Sequence, residues 1–144
     1  MFKTIVVGAD DSPTAAQAVG VAMDLAKLCG AELHIVTAYK PERARAPRTE
    51  GMPEEVRYAL SVHPADRLLG ELEALARAAS LDPVVHAAAA EPADALTSIA
   101  AREHADLIVV GNKGMKGVRR ALGSVPNDVA HRAPCSVLIV DTTG

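Results

Sequence analysis

A chain of 144 residues and 15.0 kDa has the usual size of one domain and buries enough surface to fold without disulfides or a structural metal. Apolar residues make up 49% and charged residues 23%, which excludes a disordered chain. The three aromatic residues, Phe2, Tyr39 and Tyr58, are too few for the stacking platforms of single-strand nucleic-acid binders, and a net charge of -3 disfavours a general binder of nucleic acid or anionic membrane.

Cys29 and Cys135 form no Cys-x-x-Cys pattern, and without a secretory signature they read as reduced thiols. No apolar run approaches the roughly 18 residues of a membrane span. The expectation is one soluble, cytoplasmic domain over residues 1–144.

In chain order, Thr4 to Val7 is the first strand, an uninterrupted β-branched run of the kind buried on both sheet faces. A helix is expected to open at Ser12-Pro13 with a capping side chain from Asp11 or Ser12. Its apolar positions are Ala15, Val19, Ala22, Met23 and Ala26, and Gly30 stops it. Leu33 to Ala38 reads as the second strand. Lys40 to His63 is irregular, with Pro41, Pro47, Gly51 and Pro53; a loop that long is mobile or functional. A helix from about Pro64 to Ser80 presents Leu68, Leu69, Leu72, Leu75, Ala76 and Ala79. Val84 to Ala88 is the third strand, and a helix from Glu91-Pro92 carries Ala95, Leu96, Ile99 and Ala100. Leu107 to Val110 is the fourth strand. The last helix opens at Ser124, carries Val125 and Val129, and ends at Ala133-Pro134; Val137 to Val140 closes the chain as the fifth strand. Strand and helix alternate throughout, which predicts a parallel α/β sandwich with right-handed crossovers.

Ligands of such sheets bind beyond the carboxyl ends of the strands, where strand order reverses. Two loops there are unusual. After the first strand comes Gly8-Ala9-Asp10-Asp11-Ser12, in which Asp10 stands at the strand end, one step before the capping residues, as the functional candidate. Its carboxylate suits a base edge, a ribose or a divalent cation. After the fourth strand, residues 111 to 126 hold Gly111, Gly114, Gly117 and Gly123 together with Lys113, Lys116, Arg119 and Arg120. Glycine lets a ligand approach backbone N–H groups, and the following helix N-terminus at Ser124 favours an anion. Glycine, base and helix start together describe a phosphate cradle; the alternative is a solvated surface loop. Neither Gly-x-x-x-x-Gly-Lys-Ser/Thr nor Gly-x-Gly-x-x-Gly occurs, which sets aside P-loop NTPases and typical dinucleotide folds. The five histidines lie in separate elements without metal-ligand spacing, and His34 and His86 read as packed or edge residues within strands. Asp128 and His131 read as an ordinary helical pair.

The segment Gly111-x2-Gly114-x8-Gly123-Ser124, followed by Val125-Pro126-Asn127 and by Ala133-Pro134-Cys135-Ser136, resembles the universal stress protein family, whose nucleotide signature is Gly-x2-Gly-x9-Gly-Ser/Thr. The opening Ile5-Val6-Val7-Gly8-Ala9-Asp10-Asp11-Ser12 is similar to that family's first strand and loop, and the resemblance spans nearly the whole chain. It implies a Rossmann-like, adenine nucleotide alpha hydrolase-like fold with strand order 3-2-1-4-5. It also implies an adenine nucleotide as ligand, ATP with or without Mg2+, cyclic AMP being the alternative. By the same resemblance Asp10 would contact the adenine or ribose, Ala38 would line the adenine pocket, and Gly111 and Gly114 would let their backbone reach the ribose and phosphates, with Gly8, Ala9, Val110 and Lys113 also among the nucleotide-binding residues. Gly123, Ser124 and Val125 would hold the phosphates, with Asp10 as the one metal-binding candidate. The family also implies a homodimer paired through the fifth strand, here Ser136, Val137, Leu138, Ile139 and Val140. The second spacer holds eight residues instead of nine, which alters the phosphate loop.

No general base with an oriented partner is visible, so no catalytic residue is assigned; slow ATP hydrolysis is the most that is expected. Three rivals are weighed. A response-regulator receiver would use Asp10-Asp11, but its acceptor aspartate is missing from Ala87-Ala88-Ala89-Ala90. A flavodoxin-like carrier needs aromatic partners for its flavin, and only Tyr39 lies near a strand end. A protein-interaction module with a vestigial nucleotide site would keep the dimer and bind no nucleotide.

Overall fold

A computed structural model describes residues 1–12, 14–40, 50–56, 63–112 and 125–142. The β-branched run at the start forms β1 (Thr4–Gly8), followed by α1 (Ala15–Cys29), β2 (Glu32–Tyr39), α2 (Pro64–Ala78), β3 (Val84–Ala89), α3 (Pro92–Arg102), β4 (Leu107–Gly111), α4 (Val125–Arg132) and β5 (Ser136–Val140). The strands make one sheet in the order β3-β2-β1-β4-β5, and every neighbouring pair is parallel. This is the expected fold class and strand order.

Alternation along the strands divides the core into two layers. Ile5, Val7, Leu33, Ile35, Leu107 and Val109 face α1 and α2, where they meet Val19, Met23, Leu69 and Leu72. Val6, Val36, Ile108 and Val110 face α3 and α4, where they meet Leu96, Ile99, Ala100 and Val129. Both layers are rich in alanine, which lets the helices lie close to the sheet. Asp106 secures the entry to the middle of the sheet. Its carboxylate accepts the backbone N–H of Lys3 (3.1 and 2.9 Å) and of Thr4 (3.1 Å). Desolvation opposes the charged form of Asp106, but these hydrogen bonds outweigh it and hold the carboxyl below its usual range.

Three local expectations are corrected. Thr14, not Asp11 or Ser12, stands at the start of α1 and makes no side-chain cap. The preceding turn is closed instead by Asp10, whose Oδ1 accepts the N–H of Ser12 at 2.9 Å, the local bond at which aspartate excels. Leu75 is 46% exposed; the buried stripe of α2 is Ala65, Leu69, Leu72 and Ala76, and Leu75 lies roughly a quarter turn from its centre. Within the stretch read as irregular, residues 54–56 are helical, and His63 caps α2 by accepting the N–H of Ala65 at 3.0 Å on Nδ1. Gly30, at φ 65°, ends α1 as expected and returns its N–H to Ala26.

Candidate functional site

Strand order reverses between β1 and β4, where Gly8 and Gly111 end their strands; ligands of open parallel sheets bind beyond such a reversal. Ala9 continues beyond β1, its N–H bonded to Val36 O at 2.9 Å, and its side chain is buried in the layer under α1. Asp10 follows, exposed, in the turn that its own carboxylate closes.

The expected site residues divide between the two faces of the sheet. Val110 is enclosed in the α3–α4 layer, and Ala38 and Val125 pack against that same layer. A side chain at Gly8 would also point there: its Cβ would stand 2.9 Å from Leu96 Cδ1. A Cβ at Gly111 would point the other way, 3.0 Å from Thr142 Cγ2 and 3.8 Å from Ala18 Cβ. Packing therefore gives a reason for glycine at both positions, at Gly8 the close approach of α3 and at Gly111 that of the chain end. Val110 offers the crevice only its backbone. Lys113, Gly114, Gly123 and Ser124, with Lys116, Gly117, Arg119 and Arg120, lie outside the described residues.

Three features escaped the sequence reading. The first is a cluster around Asn112. Its N–H reaches Val140 O (2.8 Å) and its Nδ2 donates to Asp141 Oδ1 (2.9 Å); its Oδ1 accepts from Thr142 N (2.9 Å) and Thr142 Oγ1 (3.1 Å). The signal was available in principle, since parallel neighbouring strands ending at Gly111 and Val140 must bring the residues after them together.

The second is a groove of about 460 Å³ between the start of α3 and α4, lined by Glu91, Asp94, Val125, Asp128 and Arg132 among others. Arg132 bridges to Asp94 at 2.6 Å. Among the described residues, this groove sets three carboxylates around one guanidinium.

The third lies toward the opposite, amino end of the sheet. His34, 1% exposed, has Nε2 at 2.5 Å from Glu32 Oε1 and Nδ1 at 2.8 Å from His86 Nε2. His86 Nδ1 in turn meets Arg102 Nη2 at 3.4 Å. Burial, and then the neighbouring His34 and Arg102, push the His86 imidazole below its ordinary value.

Among the described residues, no three His, Cys, Asp or Glu side chains gather into a metal site, and no helix is long and apolar enough to cross a membrane. Cys135 is half-buried, and desolvation followed by the nearby Asp106 carboxylate raises its thiol above the usual range, which makes it a poor nucleophile.

A five-stranded parallel sheet with helices on both faces, its strand order reversing between an acidic turn and a glycine-ended strand, defines a Rossmann-like α/β domain. The chain belongs to the universal stress protein family, whose model matches residues 1–141. It is 37% identical to a universal stress protein of Mycobacterium tuberculosis over 99% of this chain and 98% of that one. Among solved structures it resembles a universal stress protein in complex with cAMP, at 36% identity and TM-score 0.79 over 99% of both chains. The fold is shared with the universal stress protein from Archaeoglobus fulgidus in complex with dAMP, at 22% identity and TM-score 0.68 over 96% of this chain and 98% of that one.

Proposed function

We propose that this chain is a regulatory adenine-nucleotide binder, a cytoplasmic homodimer that takes its ligand in the crevice between the ends of β1 and β4. The observation that carries this reading is the 36% identical, full-length match to a structure holding cAMP, on a chain whose own sheet reverses its strand order between β1 and β4. Asp10 is the polar group that would meet the base or ribose, because it is exposed at the mouth and its orientation is fixed by Ser12. Ala38 supports a neighbouring flat base, since a small side chain at the end of β2 leaves room that a larger one would fill.

ATP is the reading that the Gly111, Gly114, Gly123 and Ser124 spacing supports. Its phosphates need the cations Lys113, Lys116, Arg119 and Arg120, and Mg2+ would come with the phosphates and take Asp10 as a single carboxylate, as that ion usually does. The second reading is cyclic AMP. It is favoured by the cAMP-bound relative. In either case no described side chain acts as an oriented general base at the crevice.

Titration calorimetry with ATP plus Mg2+, and separately with cyclic AMP, tests the proposal. A dissociation constant in the micromolar range, about -8 kcal/mol, is expected for one of them, and Asp10→Ala is expected to weaken it by about tenfold or more, the loss of a charge-assisted hydrogen bond. Raising the salt concentration should cost ATP more affinity than cyclic AMP. A folded dimer that binds neither would leave a protein-interaction module.

A further inference from the structure

The four hydrogen bonds at Asn112 do something that the strand pairing does not. The β4–β5 ladder ends with Gly111 beside Val140. Beyond it, the two chains would be free to part, one into the segment that begins at Lys113 and the other toward the C-terminus. The Asn112 backbone adds one more rung to Val140, and its carboxamide then takes over. Oδ1 accepts both donors of Thr142, and Nδ2 donates to Asp141. The orientation of the amide is fixed by chemistry, because a backbone N–H can only donate and a carboxylate can only accept. The result is burial: Thr142 is 4% exposed. Its methyl group fills the space against Gly111 where a side chain would otherwise stand.

We infer that Asn112 is a positioning residue for the nucleotide site, tying the affinity of the crevice to the seating of the C-terminal strap Asp141–Thr142. This rests on the reading of the site given above. Gly111 is the first glycine of the nucleotide signature, and its own backbone stands at the strand end where the proposed ligand would sit. With the strap seated, that backbone is held on one side by the β5 ladder and on the other by Thr142. With the strap released, Asn112 keeps only its backbone rung, and the ordering of the site must be supplied by the ligand at the expense of affinity. Since the strap continues directly from β5, whatever engages that edge strand acts on the crevice through the same carboxamide.

The test compares the full-length wild type with Asn112→Ala, Asn112→Asp and the double variant Asn112→Asp/Asp141→Asn, titrating each with ATP plus Mg2+ and with cyclic AMP, and following thermal melting in parallel. The double variant reverses the donor between positions 112 and 141 and leaves the net charge unchanged, so it separates the hydrogen bond from the mere presence of the residues. Asn112→Ala is expected to weaken nucleotide binding by about tenfold in protein that still melts cooperatively. Asn112→Asp alone, which sets two carboxylates together, is expected to do the same. The double variant is expected to return affinity to within about threefold of wild type. Affinity unchanged in Asn112→Ala, with only the melting temperature lowered, would make the cluster structural and overturn the inference. So would a double variant that binds no better than Asn112→Asp. A wild type that binds while the variants bind equally well overturns this role alone, whereas a wild type that binds neither nucleotide overturns the reading of the site and this role with it.

Discussion

At the scale of single residues, the chain Arg102–His86–His34–Glu32 has one consistent proton arrangement. His34 donates from Nε2 to Glu32 and therefore accepts on Nδ1. His86 donates to it from Nε2 and therefore offers Nδ1 toward Arg102. His86 is then neutral, and an added proton on its Nδ1 sets that ring and Arg102 against each other as two donors. His86 binds its proton less tightly in the fold than in the unfolded chain. The unfolded state therefore carries more protons between the lowered value and the ordinary 6.5, and stability falls as pH drops through that window. Chemical denaturation at a series of pH values from 8 downward should show this slope in wild type. His86→Gln should flatten it, since glutamine can donate to His34 and accept from Arg102 without titrating. An unchanged slope in that variant would assign the effect to another group. His34→Ala removes a buried ring and leaves the half-buried His86 donor without its partner, while the exposed Glu32 stays hydrated, and should lower stability by about 1–3 kcal/mol. The sequence reading placed both histidines as packed or edge residues, which the structure bears out: His34 is packed, and His86 lies on the edge strand β3. Their pairing was out of reach because 52 positions separate them and only the β2–β3 register brings them together.

At the scale of elements, β1 and β4 were the most legible part because their β-branched runs are buried on both faces and leave no alternation to misread. Helix ends were legible where a residue is committed by its backbone, as with Gly30 or with Pro64 and Pro92 at helix starts. They were less so where several polar residues compete, as in Asp10-Asp11-Ser12, because the choice of which one bonds the turn depends on a geometry only the fold supplies. Leu75 shows the limit of periodicity: a leucine on the flank of a stripe is indistinguishable in sequence from one within it. Leu75→Lys should therefore change stability by no more than about 0.5 kcal/mol, whereas a comparable change at Leu72 would bury a charge. Gly8 marks a place where the element packing constrains the residue tightly. The Cβ of Gly8→Val would overlap Leu96, and Leu96 must move or α3 must lift from β1. The expected cost is about 1–3 kcal/mol, read as a lowered midpoint in urea, and Leu96→Ala in the same chain should recover part of it. No recovery would place the strain elsewhere.

At the scale of the whole molecule, the alternation of strand and helix dictated a parallel sheet covered on both faces, and the resemblance to a family supplied the strand order. What neither supplied is the connection between the C-terminus and the crevice, because it depends on two loops leaving the same side of the sheet. The two edges of that sheet are β3 and β5. β5 carries Val137, Leu138, Ile139 and Val140, all half-buried, with Ser136 exposed at its start. An apolar strand with one unpaired backbone side invites a second strand, and a copy of itself is the partner proposed here. Two chains of 15.0 kDa pairing along this edge should sediment at about twice that mass at micromolar concentration, since stable interfaces of this kind occlude enough surface for association in that range. Leu138→Lys is the variant to compare. A half-buried position tolerates the aliphatic stem of lysine, so the fold should persist by circular dichroism while the charge at the edge shifts the protein toward monomer. If Leu138→Lys and wild type sediment alike as dimers, the pairing lies on another surface; if wild type is a monomer throughout, the edge of β5 is left for a different protein. Because Asn112 links this strand to the crevice, the monomeric variant should also bind its nucleotide more weakly than wild type does, and calorimetry on the same samples reads that coupling directly.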